Sequence, residues 1–152
     1  MIKPGALAAA AGVGLAAGLA GTAAMSLSST IEAKLRHREP STAPADAARK
    51  LLGVKPEGEE QAKRFSTIVH WAYGTSWGAV RGLLGCTGLP APAASAIHMA
   101  VLWGSEQVML PALGVSPPLT EQDATEIAIG AWHEAVYAAA AGAAYEGLNR
   151  TR

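Results

Sequence analysis

The sequence has little of what most enzyme active sites and nucleic-acid interfaces require. It contains a single cysteine, Cys86, which excludes an intrachain disulfide and a thiolate metal cluster. We interpret Cys86 as a small, partly apolar residue near a helix end. The 12 basic and 12 acidic side chains balance, which argues against a nucleic-acid or other polyanionic partner. No glycine-rich phosphate loop and no nucleophile motif is present, so acyl and phosphoryl transfer have no support. We therefore predict a protein that is not an enzyme and carries no cofactor.

Charge is also scarce, and it is unevenly distributed. Asp, Glu, Lys and Arg make up 16% of the chain, against about 25% in an ordinary soluble domain. Most of the charge lies between about residues 31 and 65. The remainder forms four apolar blocks, each about long enough to span a hydrocarbon core of ~30 Å. We predict one all-α domain over residues 1–152, a membrane bundle of four transmembrane helices at about 5–28, 66–84, 92–110 and 125–148.

The basic residues predict the orientation of this bundle. The loop 29–65 carries eight of them, and positively charged loops stay in the cytoplasm. The eight are Lys34, Arg36, Arg38, Arg49, Lys50, Lys55, Lys63 and Arg64. This charge favours an uncleaved first helix over a signal peptide. We expect a multi-pass protein of the bacterial inner membrane, with the lipid bilayer as its partner and, in addition, another membrane protein or a second copy of itself.

The basic loop should itself contain a short amphipathic helix. Pro44 suits a first helical turn, Asp46 favours the N-terminal end, and Gly53 followed by Pro56 marks the stop. The alternative to the membrane fold is a soluble, alanine-rich helical domain. It is kept open because block one has few large apolar side chains and because Arg81 is costly within a membrane. We expect Arg81 to lie near the outer end of its helix and to snorkel to the surface.

Small residues at regular spacing predict close helix packing. Gly74, Gly78 and Gly82 recur every four residues in the second block, and Gly14 and Gly18 repeat this spacing in the first. Helices in lipid associate through such small residues, because lipid supplies no hydrophobic drive. The glycine groove can face another helix of the same chain or another copy. The fourth block carries a similar alanine stripe at residues 131, 135, 139 and 143.

Polar side chains within the apolar blocks are the candidate functional residues. Such residues are energetically expensive in a membrane and are by default functional hypotheses. From the rise per residue, His70 and Glu106 lie at similar depths and can pair, while His133 and Glu134 lie near the midplane. The candidate intramembrane network comprises His70, Tyr73, Arg81, His98, Glu106, His133, Glu134 and Tyr137.

Three interpretations of this network compete. In the first, the side chains make hydrogen bonds that hold the helices in register in an accessory or structural subunit. In the second, His70, Glu106, His133 and Glu134 form the path of a proton-coupled solute transporter or channel. In the third, histidines bind haem or a metal. The third lacks the Glu-x-x-His pairs of di-iron bundles and the Cys-x-x-Cys-His motif of attached haem, so we predict no metal site.

Three stretches of the chain carry a family resemblance. They are the run His-Trp-Ala-Tyr-Gly-Thr-Ser-Trp-Gly at residues 70–78, the Pro-x-x-Gly-x-x-Pro-Pro turn at 111–118 that follows Glu106, and Glu126 with His133 and Tyr137. Over roughly residues 65–148 the sequence resembles the YagU-like family of small bacterial inner-membrane proteins. The resemblance implies an integral membrane protein. It implies no catalytic residues, because the biochemical function of that family is unknown.

Overall fold

The computed structural model describes residues 3–39 and 41–150, which form five α-helices and no strand. The helices are α1 (Pro4–Leu35), α2 (Ala43–Leu52), α3 (Gly58–Gly85), α4 (Ala91–Ala112) and α5 (Ala124–Arg150). A 3₁₀ turn, Leu119–Glu121, precedes α5. The all-helical prediction is confirmed. Each of the four long helices matches one apolar block, but α1 and α3 extend into the basic loop, so that much of residues 29–65 is helical.

The helix ends follow the local sequence. Pro4 and Pro44 occupy first turns, where the missing N–H has no intrahelical partner to lose. The α2 helix ends at Gly53, whose φ of 66° is readily accessible only without a Cβ. Asp123 precedes α5 and accepts a 2.8 Å hydrogen bond from the Thr125 backbone N–H, which lowers the pKa of the Asp123 carboxyl. The predicted short helix in the loop is therefore present where proline and glycine place it.

The α1 helix lies along both α3 and α5, while α4 packs on α5 and α3, and α2 packs on α3. The closest approach is between α1 and α3, where Gly14 and Gly18 face Gly78 and Gly82. A Cβ on Gly78 would lie 2.5 Å from the Gly18 Cα and closer still to the Gly14 carbonyl oxygen. The glycine groove of α3 therefore faces a helix of the same chain.

The interior of the bundle is filled mainly by small and polar residues, whereas its surface carries many large apolar side chains. The largest side chains that are fully buried are Arg81, Tyr137, His98 and Thr22. Among the described residues Leu102 is the one buried leucine. Large apolar residues on the outside, each more than 60% exposed, include Leu27, Ile68, Val108 and Trp132. This is the reverse of the soluble pattern, in which leucine, isoleucine and valine are most often buried.

Of the helices in the described part of the chain, α1 alone has the length and apolar composition needed to cross a membrane. A core helix of a soluble protein and a signal sequence can have the same properties. The other three long helices contain 22 to 28 residues and are therefore at least about 33 Å long. They fall short because histidine, acidic, tyrosine and glycine residues dilute their apolar character. The expected bundle of four spans is thus confirmed only as a helical bundle.

Two sequence-based expectations about packing are wrong. Arg81 does not reach the surface, because it is fully buried between α3 and α5. The alanine stripe of α5 is not its contact face, since Ala139 and Ala143 are exposed. The buried face of α5 is rotated from that stripe and contains His133, Glu134, Tyr137, Ala138, Ala141, Gly142 and Tyr145.

Candidate functional site

Three of the polar side chains on other helices hydrogen-bond to carbonyl groups of α3. Tyr137 on α5 donates from Oη to the Gly74 carbonyl oxygen at 2.5 Å. His98 on α4 meets the Trp77 carbonyl oxygen at 2.9 Å, so its Nε2 must carry the proton. Tyr145 donates to the Gly82 carbonyl oxygen at 3.3 Å. Two of these carbonyls belong to glycines, which have no side chain to shield them from a neighbouring helix.

At one end of the bundle Arg81 pairs with Glu146, and the ring of Tyr145 lies against the guanidinium. Arg81 Nη2 is 2.8 Å from Glu146 Oε1, and Arg81 Cζ is 4.7 Å from the Tyr145 ring centroid. The arginine side chain is 0% exposed and that of the glutamate 36%. Glu146 is not among the eight residues of the predicted network. Because Arg81 and Glu146 are 65 positions apart in the chain, no local sequence pattern indicates their contact.

Towards the basic loop, two histidines hydrogen-bond to serines of α1. His70 Nε2 is 2.9 Å from Ser26 Oγ, and His133 Nδ1 is 3.0 Å from Ser28 Oγ. His133 Nε2 also lies 3.6 Å from the Glu32 carboxylate. The suggested pairing of His70 with Glu106 is therefore replaced by His70 with Ser26. Ser26, Ser28 and Glu32 are not among the residues of the predicted network, although the serines at the end of the first apolar block are possible hydrogen-bond partners for a histidine.

Ion pairs of Arg36 and Arg38 surround the C-terminal end of α1, and one of them reaches α5. Arg38 makes a bidentate contact with Glu32, with Nε 2.9 Å and 3.1 Å from its two carboxylate oxygens. Arg36 contacts Glu126 on α5 at 3.0 Å. Both arginines belong to the basic residues that the sequence assigned to a cytoplasmic loop. The Arg36–Glu126 pair joins the C-terminal end of α1 to the N-terminal end of α5.

Glu106 on α4 and Glu134 on α5 are brought together. The Glu106 carboxyl lies within interaction range of the Tyr73 hydroxyl and of the Glu134 carboxyl. Glu134 is 4% exposed, and its Oε2 has no hydrogen-bond partner among the described residues. Of the eight predicted network residues, the structure thus assembles Tyr73, Glu106 and Glu134 at one place, with His70 and His133 nearby in the same cavity.

That cavity has a volume of about 650 Å³ and lies between the ends of the long helices and α2. Its apolar wall includes Met25, Trp103, Met109 and Ile129, and α2 contributes Pro44, Ala47, Ala48 and Leu51. Lys50 on α2 donates to the carbonyl oxygens of Leu113 and Gly114, at 2.6 Å and 2.9 Å. The short helix is therefore held over the cavity at both α3 and the α4–α5 connection.

Within the parts of the chain that the structure describes, no three His, Cys, Asp or Glu side chains are grouped so as to hold an ion. His70, His98 and His133 each make a hydrogen bond through one ring nitrogen to a different protein partner, namely Ser26, the Trp77 carbonyl group and Ser28. The candidate site therefore consists of hydrogen-bonded histidines and two carboxyl groups that border a cavity.

Comparison with known proteins found no match to any protein family, any curated protein or any solved structure.

Proposed function

We propose that this chain is a small multi-pass membrane protein, without enzymatic activity, that acts as an accessory or structural subunit of the bacterial inner membrane. Four helices would cross the bilayer, and the buried His, Arg, Glu and Tyr side chains would hold them in register. The partner is the lipid bilayer, together with another membrane protein or a second copy of the chain.

The inverted distribution of side chains carries this proposal. Most of the large apolar side chains that are strongly exposed are leucine, isoleucine, valine and tryptophan, while the buried residues are mainly glycine, alanine and polar groups. In water such a surface would be an aggregation or docking liability, whereas in lipid it is the expected exterior, and small residues are the expected helix contacts. Membrane interhelical hydrogen bonds contribute about 1 kcal/mol each, so several bonds of the kind made by Tyr137 and His98 suffice to select one register.

The topology is tested by labelling introduced cysteines with an impermeant maleimide. In a Cys86→Ser background, Ser41→Cys lies in the basic loop and Thr87→Cys in the α3–α4 turn, and both parent residues are exposed. We expect Ser41→Cys to react only in inside-out vesicles and Thr87→Cys only in right-side-out vesicles or intact cells. Reaction of both positions from one side would refute the four-span arrangement.

A proton-coupled transporter or channel is the second candidate, favoured by the paired carboxyls of Glu106 and Glu134 in the cavity. His70→Ala and Glu106→Gln separate the two functions. The structural role predicts that His70→Ala lowers stability in detergent without changing proton flux into liposomes. Transport predicts a loss of flux in Glu106→Gln while the protein remains folded.

A further inference from the structure

The two carboxyls in the cavity lack a positive partner. Besides Glu106 and Glu134, the charged residues lining the cavity are Arg38 and Glu126. Arg38 is engaged by Glu32, and Glu126 is engaged by Arg36. His70 and His133 also line the cavity, but they hydrogen-bond to Ser26 and Ser28. No lysine or arginine of the described cavity wall is therefore left to pair with Glu106 or Glu134. Two adjacent carboxylates in a buried site repel each other unless a cation or a proton intervenes.

The unpartnered oxygen indicates which kind of cation suits the site. Glu134 lines the cavity, is 4% exposed, and leaves Oε2 without a hydrogen-bond donor. A buried acceptor without a donor is costly, so the site favours a ligand that supplies one. A bare alkali ion or a quaternary ammonium supplies charge only, and an alcohol supplies a donor without charge. A protonated primary amine supplies both.

The rest of the cavity suits the body of such a molecule. A volume of about 650 Å³ lies within the usual range for small-molecule pockets, about 300–1,000 Å³, and far exceeds the space that one ion needs. Trp103 and Tyr73 border the same space as the carboxyls, and aromatic rings of these types attract cations. Met25, Met109 and Ile129 line the remainder with apolar surface.

We propose that this cavity is a binding site for a small amphiphilic primary amine, with the ammonium group between Glu106 and Glu134 and the apolar body against Met25, Trp103 and Met109. The inference goes beyond the structural role proposed above and does not depend on four membrane spans. Labelling of Ser41→Cys and Thr87→Cys tests topology alone, and amine binding tests the cavity alone, so either can fail separately.

Calorimetric titration of the purified full chain in mild detergent tests the site, with 2-phenylethylamine as the probe. Two matched compounds control for its parts: 2-phenylethanol lacks the charge, and the N,N,N-trimethyl derivative lacks the N–H donors. We expect the amine to bind at least about tenfold more tightly than either, because charge and donor act together. Equal affinity for all three would reduce the site to an apolar cavity, and absence of amine binding would refute it.

Glu134→Gln and Glu106→Gln should each weaken amine binding by about tenfold or more. Glu126→Gln is the matched control, since it removes a carboxylate from the same cavity wall that Arg36 already engages, and it should change binding less than about twofold. Circular dichroism melts without the amine establish that each variant is folded. Undiminished binding in both Glu134→Gln and Glu106→Gln would overturn the assignment, and either variant alone suffices if the other does not fold.

Discussion

At the scale of single residues, the polar side chains of this protein are defined by the partners that they meet across the bundle. Arg81 is the clearest example, because its position near the end of an apolar block predicts a side chain that extends to the surface. The structure instead buries it completely against Glu146 and the Tyr145 ring. A buried cation depends on its counter-charge, since removing one partner leaves an uncompensated charge in a low dielectric.

Glu146→Gln should therefore lower the free energy of unfolding by about 3 kcal/mol, because Arg81 stays buried without its carboxylate. The double variant Arg81→Met/Glu146→Gln should recover much of this loss, since methionine fills similar space without charge. Glu60→Gln removes an exposed pair with Arg64 and should cost less than about 1 kcal/mol. Thermal or denaturant unfolding in detergent measures all three. Equal stability of Glu146→Gln and the parent protein would contradict the role of the pair.

At the scale of helices, the contact between α1 and α3 depends on glycines, which have no side chain. Gly14, Gly18, Gly78 and Gly82 let the two backbones approach so closely that a Cβ has no room. Close approach gains dispersion contacts along the whole interface. The lack of side chains on Gly74 and Gly82 also leaves their carbonyl groups accessible to Tyr137 and Tyr145 of α5.

Gly78→Ala should lower the free energy of unfolding by about 1–3 kcal/mol, because the added methyl group meets the α1 backbone and forces the helices apart. Gly104→Ala is the matched control: nothing lies within 4 Å of a Cβ there. Alanine at that position should be neutral or stabilise α4 by up to about 1 kcal/mol. Unfolding in detergent gives both values. A Gly78→Ala protein as stable as Gly104→Ala would mean that the α1–α3 contact is looser than described.

At the scale of the whole molecule, the apolar exterior and polar interior make the surrounding solvent part of the fold. Trp132 is 63% exposed on α5 at the level of the buried His133 and Glu134. Trp77, by contrast, is partly buried and packs against the core beside the rings of Tyr73 and His98. The same protein thus carries one tryptophan that reports on its surroundings and one that reports on its core.

In liposomes containing brominated lipid, a variant that retains only Trp132 should show strongly quenched fluorescence. A variant that retains only Trp77 should be quenched much less, because packed side chains separate it from the acyl chains. The expectation follows from an α5 face that contacts lipid rather than water. Unquenched Trp132 fluorescence would instead favour the soluble helical domain, or a partner protein that covers this face.

The sequence by itself determined the helices and most of their ends, because proline, glycine and aspartate act locally through their own backbone requirements. It also indicated that the glycines of α1 and α3 form a packing face, since residues spaced four apart lie on one side of a helix. Only the tertiary structure decided which helix fills the groove, why Arg81 is buried, and which polar groups meet. Pairs such as Arg81 with Glu146 are 65 residues apart, and their contact depends on the rotation of α5 about its axis. In an alanine-rich helix no strong apolar stripe sets that rotation, and packing against α1 and α4 sets it instead.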